Sequence, residues 1–148
     1  MKPPRLVLLR PRNADNLGAI ARAMKNFGLS DWVVVSPNPK LLEAPGLNRL
    51  AVKSADLVDA VRRVDTLHEA IADCTWVVGT TMRLIEGQRR LTPRELTAEA
   101  IERDDAQWAL VFGDERNGPG QRRSRLVPRA LVHTHPATRN RRSTWRRR

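Results

Sequence analysis

The sequence predicts an α/β domain, a mostly parallel sheet flanked by helices, and three observations carry that prediction. Short apolar runs rich in β-branched residues recur at RLVLL (5–9), DWVVV (31–35), TWVVGT (75–80) and WALVF (108–112). Each is nearly continuously apolar, as strands buried on both faces are. Helix-start signals fall between the runs, and strand alternating with helix favours parallel pairing beneath covering helices.

The elements follow in order. Asn13, Asp15 and Asn16 offer caps for a first helix over 17–27, and Gly28 supplies its stop. At about 100° per residue, Leu17, Ile20, Met24 and Phe27 share one face, the predicted core face. SPNPKLLEAPG (36–46) reads as a loop, and Asp104–Asp105 marks another. TLHE (66–69) and TPRE (92–95) fit the capping box, the second with proline at the first helical position.

At 148 residues the chain is expected to form one domain with a real core. Its single cysteine, Cys74, leaves no internal disulfide and suits a reducing compartment. No apolar run approaches the roughly 20 residues that cross a bilayer, and RLVLL is followed at once by polar residues, unlike a secretory signal. A cytoplasmic protein with no membrane partner is the expectation.

The net charge of +11 is unevenly spread. Residues 1–117 carry 17 Lys and Arg against 16 Asp and Glu, whereas 118–148 carry 10 arginines and no acid. The excess therefore belongs to the last stretch, which needs its own explanation.

In open parallel sheets, ligands gather at loops beyond the carboxyl ends of the strands. Those loops here are RPRNADN, GTTMR and GDERNG, each rich in glycine, hydroxyls or charge. In the first helix Arg22 lies one turn beyond Gly18, and helical side chains lean toward the amino terminus. Gly18 can thus leave a path for the guanidinium toward Asn16 and the orphan N–H groups of the helix start, a combination that suits phosphate. The alternative stays open: Gly18 permits close packing and Arg22 is a solvated charge. Other candidates are weaker. His133 and His135 lack companion ligands, so no metal is expected, and His68 reads as a helix residue. The sequence has no GxGxxG, no P-loop and no arguable serine triad. Asp114 and Glu115 in FGDERNG stand directly beyond a buried run.

Taken together, the loops resemble those of the SpoU-type RNA 2′-O-ribose methyltransferases of the SPOUT class, most closely its TrmJ-like branch. The family's first motif, Asn-x-Gly followed by an arginine on the same helix, matches Asn16, Gly18 and Arg22. Its second, Gly-x-Glu-x-x-Gly, matches Gly113, Glu115 and Gly118. VVGTTMR and LTPREL also resemble their counterparts, so the likeness runs from about Arg5 to Gly118. The resemblance implies a homodimeric fold with a deep carboxyl-terminal trefoil knot, an exception to the usual absence of knots. It implies S-adenosylmethionine as cofactor, bound partly by Gly79, Thr80, Thr81, Met82 and Gly113. It also implies RNA, tRNA above all, as substrate, with Arg12 and Arg22 on the RNA and Arg22, Asn16 and Glu115 at the reacting centre. Family proposals make the arginine a general base. Because arginine stays protonated, holding phosphate and stabilising charge on the 2′-oxygen is the better role for Arg22.

After Gly118 the pattern stops. The family continues with a third motif, S-L-N-L-A-x-A, which completes the knot and much of the cofactor pocket, and 119–148 contains no such motif. The domain expected from the family is therefore 1–118, followed by an arginine-rich tail, 119–148, expected to be disordered. Three readings of that tail stand open: a basic RNA-binding extension, a naturally truncated relative, or translation out of frame. The genetic code is compatible with the third. Taking the last base of each codon with the first two of the next, RNRRSTWRRR (139–148) permits E-Q-A-F-N-L-A-Q-A. The expectation is a frameshift near Gly118 that impairs cofactor binding and turnover. The competing function is a non-catalytic RNA-binding protein that uses the basic tail.

Overall fold

The structure, a computed structural model, describes residues 2–43, 47, 51, 53–81, 89–103, 107–113 and 129–134. Strand β1 (Arg5–Leu9) leads into α1 (Ala14–Asn26), then β2 (Trp32–Val35), α2 (Pro39–Leu42) and α3 (Ala55–Asp59). There follow β3 (Arg62–Val64), α4 (Leu67–Ile71), β4 (Trp76–Thr81), β5 (Arg90–Leu91), α5 (Pro93–Glu102), β6 (Trp108–Phe112) and β7 (Arg129–Thr134). One sheet holds all these strands in the order β3-β2-β1-β6-β4-β7-β5. The first five run parallel, and β7 is antiparallel to both β4 and β5.

Both faces of the central strands are covered, which is why their sequences do not alternate. Leu6 and Leu8 of β1 pack with Leu17, Ala21 and Met24 beneath α1. Val7, between them, points the other way and packs with Val33, Val35, Ala70 and Ile71. Beneath α5, Trp76, Val78, Leu91, Ala100 and Trp108 form a third cluster. The Trp76 and Trp108 rings lie 5.1 Å apart, tilted by 38°, and the guanidinium of Arg103 sits 4.9 Å from the Trp76 ring centre.

Local chemistry sets the helix ends. The Asn13 side chain caps α1 by accepting from the Asp15 N–H at 2.8 Å. At the other end Gly28 takes a left-handed φ of 68°. Its N–H reaches the Lys25 carbonyl, and the Leu29 N–H reaches that of Met24 at 2.9 Å. This is a Schellman closure, in which the residue after the glycine folds back onto the core, and Leu29 does pack there. Both capping boxes form their threonine bonds: Thr66 accepts from the Glu69 N–H, and Thr92 from the Glu95 N–H, with Pro93 at the first turn.

Several expectations need correction. The first helix spans 14–26, and Phe27 is its cap residue, 81 % exposed, with no place in the core face. The Schellman turn ends the helical periodicity one residue too early for Phe27, and Leu29 takes the apolar role. The stretch 36–46 is not wholly loop, because Asn38 caps the short helix α2 with Pro39 at its start. Within the segment expected to be disordered, 129–134 forms β7, pairing from Trp76↔Thr134 to Thr81↔Arg129. Ala130, Leu131 and Val132 give that stretch a strand-like run amid the arginines. The turn at 104–105 and the segment in which the knot would close lie outside the described residues.

Candidate functional site

Parallel pairing brings three strand ends to one rim. Leu8 and Thr80 both stand in register with Phe112, one on each side of β6. The residues that follow, Leu9 and Arg10, Gly113, and Thr81, therefore leave the sheet side by side. Thr80 Oγ1 donates to the Val111 carbonyl at 3.2 Å, tying the end of β4 to β6. Strand β1 has β2 on one flank and β6 on the other, so the crevice between β1 and β6 is a topological switch point.

A cleft of about 300 Å³ opens there. Its walls include Leu9, Pro11, Ile20 and Phe112, and Asn16 and Gly113 reach it from α1 and β6. The backbone entering the cleft is unusual. Arg10 has a φ of 44° and Ser36, on the neighbouring strand end, a φ of 45°. Left-handed geometry costs a residue with a Cβ about 1–2 kcal/mol, and the sheet holds it in place: the Arg10 N–H donates to the Val35 carbonyl at 2.9 Å, and that of Ser36 to the Val64 carbonyl at 2.8 Å.

The structure thus joins Asn16 and Gly113 in one cleft and places half-buried Gly79 and Thr80 two strands from β1 on the same rim. An added Cβ at Gly79 or at Gly113 would meet nothing within 4 Å, so the backbone at both positions is open to close approach by a ligand. Thr81 ends β4. Met82, Asp114, Glu115 and Gly118 lie outside the described residues.

Arg12 and Arg22 are exposed. Arg22 does not line the cleft; it projects about 160° around α1 from Ile20. Gly18 is buried, in one stripe with Leu17, Ala21 and Met24. The expectation that it leaves an open path for the Arg22 side chain is therefore corrected: a residue without a side chain lets α1 lie close against its neighbours. Arg10, Arg12 and Arg22 form no ion pair among the described residues. Sequence reasoning missed the cleft walls and Arg10. The one available signal was Pro11, a rigid residue between two arginines directly after a buried strand.

Known proteins with the same arrangement stand close. The profile of the SpoU rRNA Methylase family matches residues 3–135. The chain is 40 % identical over 121 residues to the tRNA (cytidine/uridine/adenosine-2′-O-)-methyltransferase TrmJ of Pseudomonas aeruginosa, covering 77 % of this chain and 45 % of that protein. It is 39 % identical over 117 residues to the tRNA (cytidine/uridine-2′-O-)-methyltransferase TrmJ of Klebsiella pneumoniae, covering 77 % and 47 %. The chain thus spans about half the length of the curated relatives it matches. Among solved structures, TrmJ from Z. mobilis superposes with a TM-score of 0.68 at 32 % identity, covering 81 % of this chain and 53 % of that one. A putative methylase family protein from Neisseria gonorrhoeae gives a TM-score of 0.64 at 31 % identity, with 81 % and 69 % covered.

Proposed function

This chain belongs to the SpoU rRNA methylase family, and from that premise we propose that it serves S-adenosylmethionine-dependent 2′-O-methylation of a tRNA ribose. One observation carries the reading: the cleft at the β1–β6 switch point joins Asn16 to Gly113, the leading residues of the two matched motifs. The relatives named for this activity support it.

S-adenosylmethionine supplies a methyl group already electrophilic on its sulfonium, so the protein's work is alignment and the handling of one proton. The open backbone at Gly79 and Gly113 fits close approach by such a cofactor, with Thr80, Thr81 and Met82 beside it. Arg22 holds phosphate and stabilises negative charge developing on the 2′-oxygen, while Asn16 and Glu115 position the loops. Arg12 binds RNA. The active form is a homodimer in the cytoplasm. Among the described residues no helix is long and apolar enough to cross a membrane. Because 119–148 lacks the third motif, cofactor affinity is expected to be weak and turnover low in this form.

The test is transfer of labelled methyl from S-adenosylmethionine to unmodified tRNA, followed by digestion to nucleosides. The expected product is a 2′-O-methylated nucleoside, formed slowly and lost in Arg22→Ala. Label on a base, or none with any tRNA, overturns the reading. Ordinary cofactor affinity in a calorimetric titration would remove the expected impairment. The nucleotide sequence across Gly118 tests the frameshift directly.

A further inference from the structure

The cleft has a chemistry of its own that methyl transfer to a ribose does not require. Its walls at Leu9, Pro11, Ile20 and Phe112 are apolar, with the amide of Asn16 at one side. Such a slot suits a flat, weakly polar ring. Pro11 lines it, and Arg10 and Arg12 stand on either side of Pro11. Both arginines are exposed and form no ion pair among the described residues. Other arginines are engaged: Arg5 with Asp31 and Asp73, Arg62 with the Ala70 carbonyl, Arg89 with Glu99, and Arg103 with Trp76.

We propose that this cleft receives the base of one unstacked RNA nucleotide, while Arg10 and Arg12 hold the phosphates on either side of it. A planar ring joined to a polyanion matches both halves of the site, the apolar slot and its cationic mouth. About 300 Å³ is at the lower end of the range for small-molecule pockets, which fits one base and excludes a stacked pair. The left-handed backbone of Arg10 fixes where its side chain starts, and such strain concentrates where geometry serves binding. Because contact is mainly with the face of the ring, and Asn16 is the one polar side chain among the described lining residues, the slot tolerates different bases. The proposal rests on the RNA-modifying reading and adds the residues that hold the target.

The test uses the full chain and a short single-stranded RNA carrying one 2-aminopurine, whose emission reports unstacking. Ala19, exposed on α1 at the edge of the cleft, is replaced in two variants, Ala19→Leu and Ala19→Gln. Both add bulk of different polarity at a site where helix propensity changes little, and circular dichroism checks their folding. Binding to the wild type is expected to raise 2-aminopurine emission. Both variants are expected to abolish that rise while overall affinity changes less than about threefold, since phosphate contacts remain. Arg10→Ala with Arg12→Ala is expected to weaken binding about tenfold or more and to lower the salt slope by one to two, roughly one per phosphate contact. An emission rise that survives both Ala19 variants overturns the proposal. So does its loss on adding S-adenosylmethionine in competition, which would give the cleft to the cofactor, or the absence of RNA binding by the wild type. An emission rise that depends on Ala19, with no 2′-O-methyl product formed, would sink the methylation reading and leave the base slot standing.

Discussion

Arg5 Nη2 donates to Asp73 Oδ2 at 2.9 Å, linking the first strand to the approach of β4 across 68 positions of sequence. The same guanidinium donates to Asp31 Oδ2 at 2.9 Å and to the Ala70 carbonyl at 3.0 Å. Arg5 is buried, 7 % exposed, at the rim opposite the cleft. Its neighbour Cys74 has a thiol pushed up to about 11, mainly by burial, so the thiol stays protonated and inert. The cluster holds the amino ends of β1, β2 and β4 together. Asp73→Ala is expected to cost about 2 kcal/mol, lowering Tm by roughly 6 °C, as read by thermal unfolding. No change would show that Asp31 alone satisfies the arginine.

The same cluster makes stability fall in acid. Hydrogen bonding from Arg5 holds the Asp73 carboxyl below its ordinary value of 3.8. A carboxylate whose folded pKa is depressed contributes stability that is complete above the unfolded pKa and is lost as pH falls through the folded one. Wild type should therefore lose more stability than Asp73→Asn on descending below about pH 4. Parallel curves in urea titrations across that range would contradict the assignment.

Two substitutions on the first helix separate its buried stripe from its end. Leu17 is 1 % exposed, and Leu17→Ala should cost about 2–4 kcal/mol. Phe27, in contrast, is 81 % exposed, so Phe27→Ala should stay within about 0.5 kcal/mol of wild type. Denaturant midpoints compare the two directly.

Thr92 accepts from the Glu95 N–H at 3.3 Å, and its own N–H donates to Glu95 Oε2 at 2.7 Å. Thr92→Ala should cost about 1 kcal/mol, and Thr92→Ser should keep most of it. Equal losses in both variants would mean that the methyl group, not the cap, matters.

Arg22 is exposed on α1, so its replacement should leave Tm unchanged within about 1 °C. Methyl transfer to tRNA should nevertheless fall about a hundredfold in Arg22→Ala. Arg22→Lys keeps the charge and loses the planar fork. Transfer restored to wild-type level by lysine would make the role one of charge alone.

RLVLL and WALVF could be read directly as β1 and β6, because a strand covered on both faces leaves an unbroken apolar run. The threonine caps and Gly28 were equally legible, since their chemistry is local. Phe27 was not. A continuous helical wheel carries no notice of where the helix stops, and the Schellman turn hands its position to Leu29. Gly18 misled for a related reason: an absent side chain looks the same whether it opens a path or permits contact. The cleft could not be seen at all, because Leu9, Ile20 and Phe112 come from three separated segments and each alone resembles ordinary core. Strand β7 was hidden by the arginines around it. The matched motifs, in contrast, survived translation into space, with Asn16 and Gly113 meeting at the cleft.

The tryptophan pair beneath α5 gives the molecule an optical gauge. Two indoles held at 5.1 Å and 38° couple their electronic transitions, and β4 and β6, which carry them, run up to the floor of the cleft. A circular dichroism couplet from that pair would vanish as the two strands part. Its amplitude would follow the integrity of the cleft floor in real time, with no label attached.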